Sequence, residues 1–541
     1  MRIHSFVAAG FAAAIVGSVS TACFAGGLYA TDRGVRPLGR GGAFVAGADD
    51  LGAIAYNPAG IFDAGDSILI DANLVLFSST YARQALLRQV DPNSGETVAT
   101  YEQTFDPVNG SGAPLPIPTL AGAFSPHPDW RIAFGAYAPN AVLPTYPEKL
   151  ENGSAAPQRY SLVTLDGSLL VVIGGYVAWR PVEELRLGLG VEVMTGAFTS
   201  RTYLSGCLPE RFFCAPEDPA WDVAGEISAA PIIAPSGNLG AIWEFSPGWR
   251  AGASFHLPYW IDAPATIRTR LPSSPVFRNS TQEGEDASLS FKLPWEVRIG
   301  VEMRDLVPGL RIEVGADYHH WAIHDAITVT PDGIALTNLP GFPKEYLLPD
   351  ITIQRNFQST VAGRIGAEYA IKASADVTVT PRAGFSYETS AVPQESLTVL
   401  TLDAGKATPS VGASLQYQDA RFDLVYAHQF YPAVTVPIDE ARIEQTVPLS
   451  ANPSKEPDYV NAGYYSWNVD VVGVGFTYTF DKPKPAHAIP DDDDLPPVKP
   501  PPKVEPKPEV EEVAEPEPEA EPEPTPEPLK PEPKKPGGKK R

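Results

Sequence analysis

Five residues with metal-binding or proton-transfer chemistry crowd one short stretch: Asp317, His319, His320, His324 and Asp325. In an extended chain His319 and His320 point to opposite faces, so they cannot close on one ion without a bulge. A Gly-x-Ser-x-Gly elbow, a zinc-protease helix motif and a phosphate loop are all missing from the sequence. Asp491 to Asp494 stand in a proline-rich stretch and read as a solvated spacer rather than a calcium site. These residues predict no enzyme, no metal site and no cofactor.

The elements that would position any site are strands. From Tyr464 to Phe480, Val472, Val474, Phe476, Tyr478 and Phe480 share one face, and Gly473, Gly475, Thr477 and Thr479 share the other. A strand that is apolar on one face, small or polar on the other and finished by an aromatic residue has the form of the last strand of an outer-membrane barrel. The same alternation recurs. Leu185, Leu187, Leu189, Val191 and Val193 oppose Arg186 and Glu192; Val297, Ile299, Val301 and Met303 oppose Arg298, Glu302 and Arg304. Charges of both signs on one face predict a hydrogen-bonded lumen, because unpaired charge in a dry sandwich core costs several kcal/mol.

Residues 1–25 carry a basic start, an apolar run and small residues before a cleavage point, the pattern of a secretory signal peptide. A lipidated Cys23 is the rival reading, weakened by the lack of a large aliphatic residue three places earlier. Cys207 and Cys214 then remain in an oxidising compartment, where they are expected to pair. The net charge of −24 argues against nucleic-acid binding.

Fourteen extended segments are predicted, at about 67–83, 115–127, 131–142, 161–180, 185–205, 221–246, 250–270, 287–305, 311–330, 357–373, 377–390, 407–419, 421–437 and 461–480. Short connections such as Pro247-Gly248 alternate with long Pro-, Asn- and Gly-rich ones. That asymmetry predicts an all-β protein: a fourteen-stranded antiparallel transmembrane barrel with its short turns in the periplasm. Trp130, Trp179, Trp243 and Trp249 flank short turns, where an interfacial girdle belongs. The domain reading is a signal peptide at 1–25, an N-terminal hatch at 26–66, a barrel at 67–480 and a disordered tail at 481–541.

Residues 26–66 do not alternate. Their Leu38-Gly39-Arg40, Gly42-Ala43, Ala48-Asp49-Asp50 and Asn57-Pro58-Ala59, with Phe134 to Pro139 and Arg159-Tyr160-Ser161 further on, resemble the FadL outer-membrane transporters of long-chain fatty acids and aromatic hydrocarbons. The resemblance covers about 26–480. It implies that 26–66 is a hatch plugging the barrel and that Asn57, Pro58 and Ala59 form its turn. A hydrophobic molecule would be captured by extracellular loops, pass to a pocket against the hatch, and leave sideways at a kinked third strand. Pro139 and Asn140 are the candidates for that gap, since proline has no N–H for the ladder; the rival reading of Pro139 is a strand that ends at its loop. The family's capture groove corresponds to the loop holding Cys207, Phe212, Phe213, Cys214 and Trp221. There the two phenylalanines are either a greasy lip or the loop's own small core.

The expected partners are a hydrophobic small molecule, outer-membrane lipid and lipopolysaccharide near Arg201, Arg211 and Arg270, and the barrel-assembly machinery reading Phe480. Residues 481–541, dense in Pro, Glu and Lys, predict an extended periplasmic tail reaching on the order of 150 Å. Its basic end could touch peptidoglycan. A non-specific porin and a membrane-to-wall anchor are the rival functions.

Overall fold

A computed structural model describes residues 32–91, 96–112, 116–139, 144–207, 214, 217–446 and 458–481. The signal peptide, Asn140, Arg211, Phe212, Phe213 and the tail beyond Asp481 lie outside them.

Fourteen strands close into one antiparallel barrel: β1 Asp66–Val90, β2 Pro116–His127, β3 Trp130–Tyr137, β4 Leu169–Val182, β5 Leu185–Ser205, β6 Asp222–Ser246, β7 Trp249–His256, β8 Glu296–Arg304, β9 Leu310–His319, β10 Thr360–Tyr369, β11 Val377–Glu388, β12 Lys406–Tyr417, β13 Ala420–Gln429 and β14 Gly463–Asp481. Each pairs with the next. β14 returns to β1 along an unbroken seam from Ser67 opposite Thr479 to Arg83 opposite Gly463. Closure leaves no edge, which backbone in lipid requires.

The side-chain distribution is the reverse of a soluble protein's. Val191 is 65 % exposed and Ile299 54 %, while Glu192, Glu302 and Glu313 are fully buried. Val472, Val474 and Phe480 also face outward. Trp130, Trp179, Trp243 and Trp249 are exposed beside short turns, and Trp130 stacks on Trp179 at 5.5 Å. Among the described residues no helix is long and apolar enough to cross a membrane; the strands do the crossing.

Several expected segments come out shorter, among them the third, fourth, tenth and thirteenth, the last two reduced to Thr360–Tyr369 and Ala420–Gln429. The third ends at Tyr137, two residues before Pro139. The fourth begins at Leu169, because Arg159 and Tyr160 are tied into a 3-10 turn by bonds of 2.7 Å each to Asp222. Conversely, a second tier rises above the wall. Tyr259–Arg270, Asp286–Leu293, Ala326–Pro331 and Ile351–Gln354 carry on from β7, β8, β9 and β10 and pair in turn with β6 and one another.

Candidate functional site

Residues 32–65 lie inside the barrel. Helix α1, Val35–Gly39, is followed by 3-10 turns at Leu51–Ala55 and Pro58–Ala64, and nearly every residue is buried. Charged lumen residues explain why this segment stays there. Arg36 Nη2 bonds Glu368 of β10 at 2.7 Å, and Arg40 Nη2 reaches Glu302 of β8 at 2.9 Å and Glu313 of β9 at 3.0 Å. The Glu313 carboxylate also accepts from three successive backbone N–H groups, Val45 at 2.7 Å and Ala46 and Gly47 at 2.9 Å each. Arg311 and Arg421 close the network on Asp49 and Asp50 at 2.7 Å each. A buried charge without its partner costs several kcal/mol, so segment and wall stabilise each other.

Asn57-Pro58-Ala59 caps the second 3-10 turn. Asn57 Oδ1 accepts from Ala59 N at 3.1 Å, and its amide donates to Val45 O at 2.8 Å and Ala241 O of β6 at 3.1 Å. The turn packs on β3, β4, β5 and β6. It sits so close that a Cβ on Gly188 would come within 2.2 Å of Ala59 N, and one on Gly240 within 2.0 Å of Asn57 Oδ1. Only glycine fits at these two wall positions.

Asp63, in the last part of this turn, meets Arg250 and Arg186. Burial pushes its carboxyl up, but Arg250 and then Arg186 outweigh burial and hold it below the usual range. A depressed folded value contributes stability above the unfolded pKa of about 4 that is lost as pH falls through the folded value. Single-channel conductance is therefore expected to stay low from neutral pH down to about pH 4 and to rise only in stronger acid, and Asp63→Asn should show the acid-state conductance at neutral pH.

Above the segment the wall has a discontinuity. The β3 ladder ends with Tyr137 opposite Val172 of β4. Ala138 N still reaches Pro118 O at 3.3 Å, and Pro139 has no N–H to offer. Pro144–Thr145 pairs next with Ser111 and Gly112, not with β4. Ile54 of the N-terminal segment lies beneath, its Cδ1 2.6 Å from where a Cβ on Gly135 would stand.

Farther out, within the second tier, is a cavity of about 130 Å³. Its wall is mostly apolar, with Phe198, Ile227, Ile267, Leu289, Ile327 and Val329 among the lining residues, and Ser200, Thr202, Thr269 and Glu444 add polar groups. A dry cavity of about 150 Å³ suffices for a benzene ring, so this one suits a monoaromatic or one end of a longer chain. Arg355, in the linker after Ile351–Gln354, also lines it. Arg355 is 5 % exposed, its Nε has no hydrogen-bond partner, and no carboxylate forms a salt bridge with it among the described residues. Burial pushes its guanidinium down to about 10, so it is cationic at neutral pH.

The other predicted positions fall as follows. Cys207 and Cys214 are joined by a disulfide, with Cα atoms 5.8 Å apart. Trp221 packs edge-on against Phe277 at 5.5 Å in a small cluster with Leu336 and Leu339 beside the disulfide. Phe277 and Leu336 of that cluster line the cavity; Trp221 does not. Arg201 is taken by Glu226 at 3.2 Å, and Arg270 donates to Tyr203 at 3.0 Å. His320 stacks on Trp295, and His324 donates to Lys292 O at 2.7 Å. Among the described residues no cluster of three His, Cys, Asp or Glu could hold a metal. Arg355 escaped the sequence reading, although Ile351, Ile353, Arg355 and Phe357 share one face and an arginine there interrupts an apolar row.

The closed barrel with an occupied lumen frames the comparison with known proteins. Residues 16–482 match the family described as outer membrane protein transport protein (OMPP1/FadL/TodX). The chain belongs to that family. No curated protein matches it. A FadL homologue of Pseudomonas aeruginosa is similar in structure, with a TM-score of 0.61 at 14 % identity over 84 % of this chain and all of that one. The toluene transporter TodX of Pseudomonas putida gives 0.52 at 14 % over 83 % of this chain and 99 % of its own. TbuX, the toluene transporter of Ralstonia pickettii, gives 0.50 at 15 % over the same shares. At such identities the likeness is one of fold. Membership places the chain in the bacterial outer membrane and in a transport family whose fold serves the uptake of hydrophobic molecules.

Proposed function

We propose that the chain is a passive transporter of amphipathic hydrophobic molecules, with long-chain carboxylic acids preferred over hydrocarbons. The observation that carries this is Arg355, a buried cation in an apolar cavity on the outer side of a barrel whose lumen is filled. The apolar wall takes the chain and the guanidinium takes the carboxylate, a charge-assisted, bidentate match. The molecule then descends toward residues 32–65, which act as the hatch, and leaves at the end of β3. Lateral exit is reasonable energetically, because each CH₂ gains about 0.8 kcal/mol on entering lipid and nothing in a wet channel.

The test is uptake by cells lacking their own fatty-acid transporter and expressing this chain, offered oleate, toluene and a small sugar. Oleate entry ahead of toluene, with sugar excluded, is the expected result. Sugar entry alone would make the chain an open porin. No entry despite surface insertion would leave the wall anchor as the better account.

A further inference from the structure

On the lumen face of β5, about 20 Å below Phe198 along the strand, Glu192 gathers side chains from five other strands. Its Oε1 accepts from Tyr176 of β4 at 2.8 Å and from the Asn238 amide of β6 at 3.2 Å. Its Oε2 receives Tyr137 of β3 at 3.3 Å, Tyr259 at 3.1 Å and His256 Nε2 of β7 at 2.7 Å. Tyr137 is the last residue of the β3 ladder, and His256 the last of β7 before Leu257-Pro258 interrupts it. One carboxylate thus ties together the end of the β3 ladder, where the wall breaks off, and the end of β7, where the strand is interrupted before Tyr259–Arg270 takes it up again.

The donors and acceptors do not balance for a neutral imidazole beside a carboxylate. His256 Nδ1 is 2.6 Å from Leu257 O, which can only accept, so Nδ1 carries a hydrogen. Nε2 faces Glu192 Oε2, and a lone pair there would oppose a carboxylate oxygen. The Tyr259 hydroxyl lies 3.4 Å from Nε2 but nearer, at 3.1 Å, to Oε2, so the short 2.7 Å approach of Nε2 to Oε2 is best accounted for by a proton between them. Asn238, whose amide also donates to Ile54 O at 2.9 Å, offers Glu192 a donor only, which favours the carboxylate–imidazolium form. The other charged groups facing the imidazole are Glu296, directly across on β8, and Arg298, which bonds Glu296. From the N-terminal segment Arg33 lies over Tyr137 at 5.0 Å.

We propose that Glu192 and His256 are positioning residues of the exit path, a proton-held latch that keeps the ends of β3 and β7 clamped to β5 and loosens when the shared proton is lost. The proposal rests on the lateral route argued above. Loss of the proton sets a lone pair against a carboxylate, and what was a charge-assisted hydrogen bond becomes a repulsion. Rising pH should then speed passage.

Toluene is the probe for the test, because it is uncharged at every pH. In expressing cells its uptake should rise at least about tenfold from about pH 6 to about pH 9, the lower end of what one charge-assisted bond carries. His256→Gln, whose amide donates to Glu192 at all pH values, should give a flat profile; should it not insert, Glu192→Gln carries the same expectation. A flat wild-type profile, or a rise that survives in the variant, would overturn the latch. Nitrogen NMR of histidine-labelled protein separates this from the transport reading. The signal that disappears in His256→Gln should be an imidazolium at about pH 7. An imidazolium with no uptake of any probe sinks the transport reading and leaves the shared proton standing; a neutral ring sinks the latch alone.

Discussion

Replacing Arg355 by methionine is expected to cut oleate uptake by about 10- to 100-fold while leaving toluene uptake within a factor of about two. A hydrogen bond to a charged group contributes about 1.5–3 kcal/mol, which spans that range. Methionine has a similar length and no charge, so the cavity stays filled and apolar. Removing a buried cation with no anionic partner also lifts a desolvation cost, so the variant should fold at least as well as the parent. Competition between labelled oleate and unlabelled toluene gives the measurement. Equal losses for both probes would mean that Arg355 shapes the cavity and does not bind a carboxylate.

Glu313→Ala should have the second large effect. The substitution leaves three backbone N–H groups in the lumen without their acceptor and takes one carboxylate from Arg40, which keeps Glu302 at 2.9 Å. Breaking a buried pair by removing one partner costs about 3–5 kcal/mol. The barrel itself, held by its own ladders, should remain closed and resist boiling-induced unfolding as before. What should change is the seat of residues 32–65: ion conductance in planar bilayers should rise, and protease should reach the segment. Glu313→Gln, which can still accept from the N–H groups, should fall between. A conductance equal to the parent's would show that the remaining bonds of Arg36 and Asn57 suffice.

The barrel was legible in the sequence because its signal is repeated. Alternation such as Leu189, Val191 against Glu192 recurs around the wall, and the short turns beside Trp130, Trp179, Trp243 and Trp249 mark one rim. Asn57-Pro58-Ala59 was legible as a motif, but not its seat against Gly188 and Gly240, which depends on strands far along the chain. Arg355 and the Glu192 cluster were invisible for the same reason. A buried arginine is unusual only once its surroundings are known, and Glu192 reads as one more lumen charge until Tyr137, Tyr176, Asn238, His256 and Tyr259 converge on it. Period-2 patterning tells which way a side chain points; it does not tell what comes to meet it.

The ion pairs of residues 32–65 bear on the timing of biogenesis. This stretch crosses the inner membrane ahead of the strands, yet Arg40 needs Glu302 and Glu313, Arg36 needs Glu368, and Asp50 needs Arg421. Every one of those partners is delivered hundreds of residues later. The segment must therefore wait in water, uncommitted, while the wall that will receive it is still being exported. Its composition suits waiting: charges of both signs, many glycines and alanines, and no strand-forming alternation to pair prematurely. The segment that precedes the strands in the chain is the last whose partners are complete.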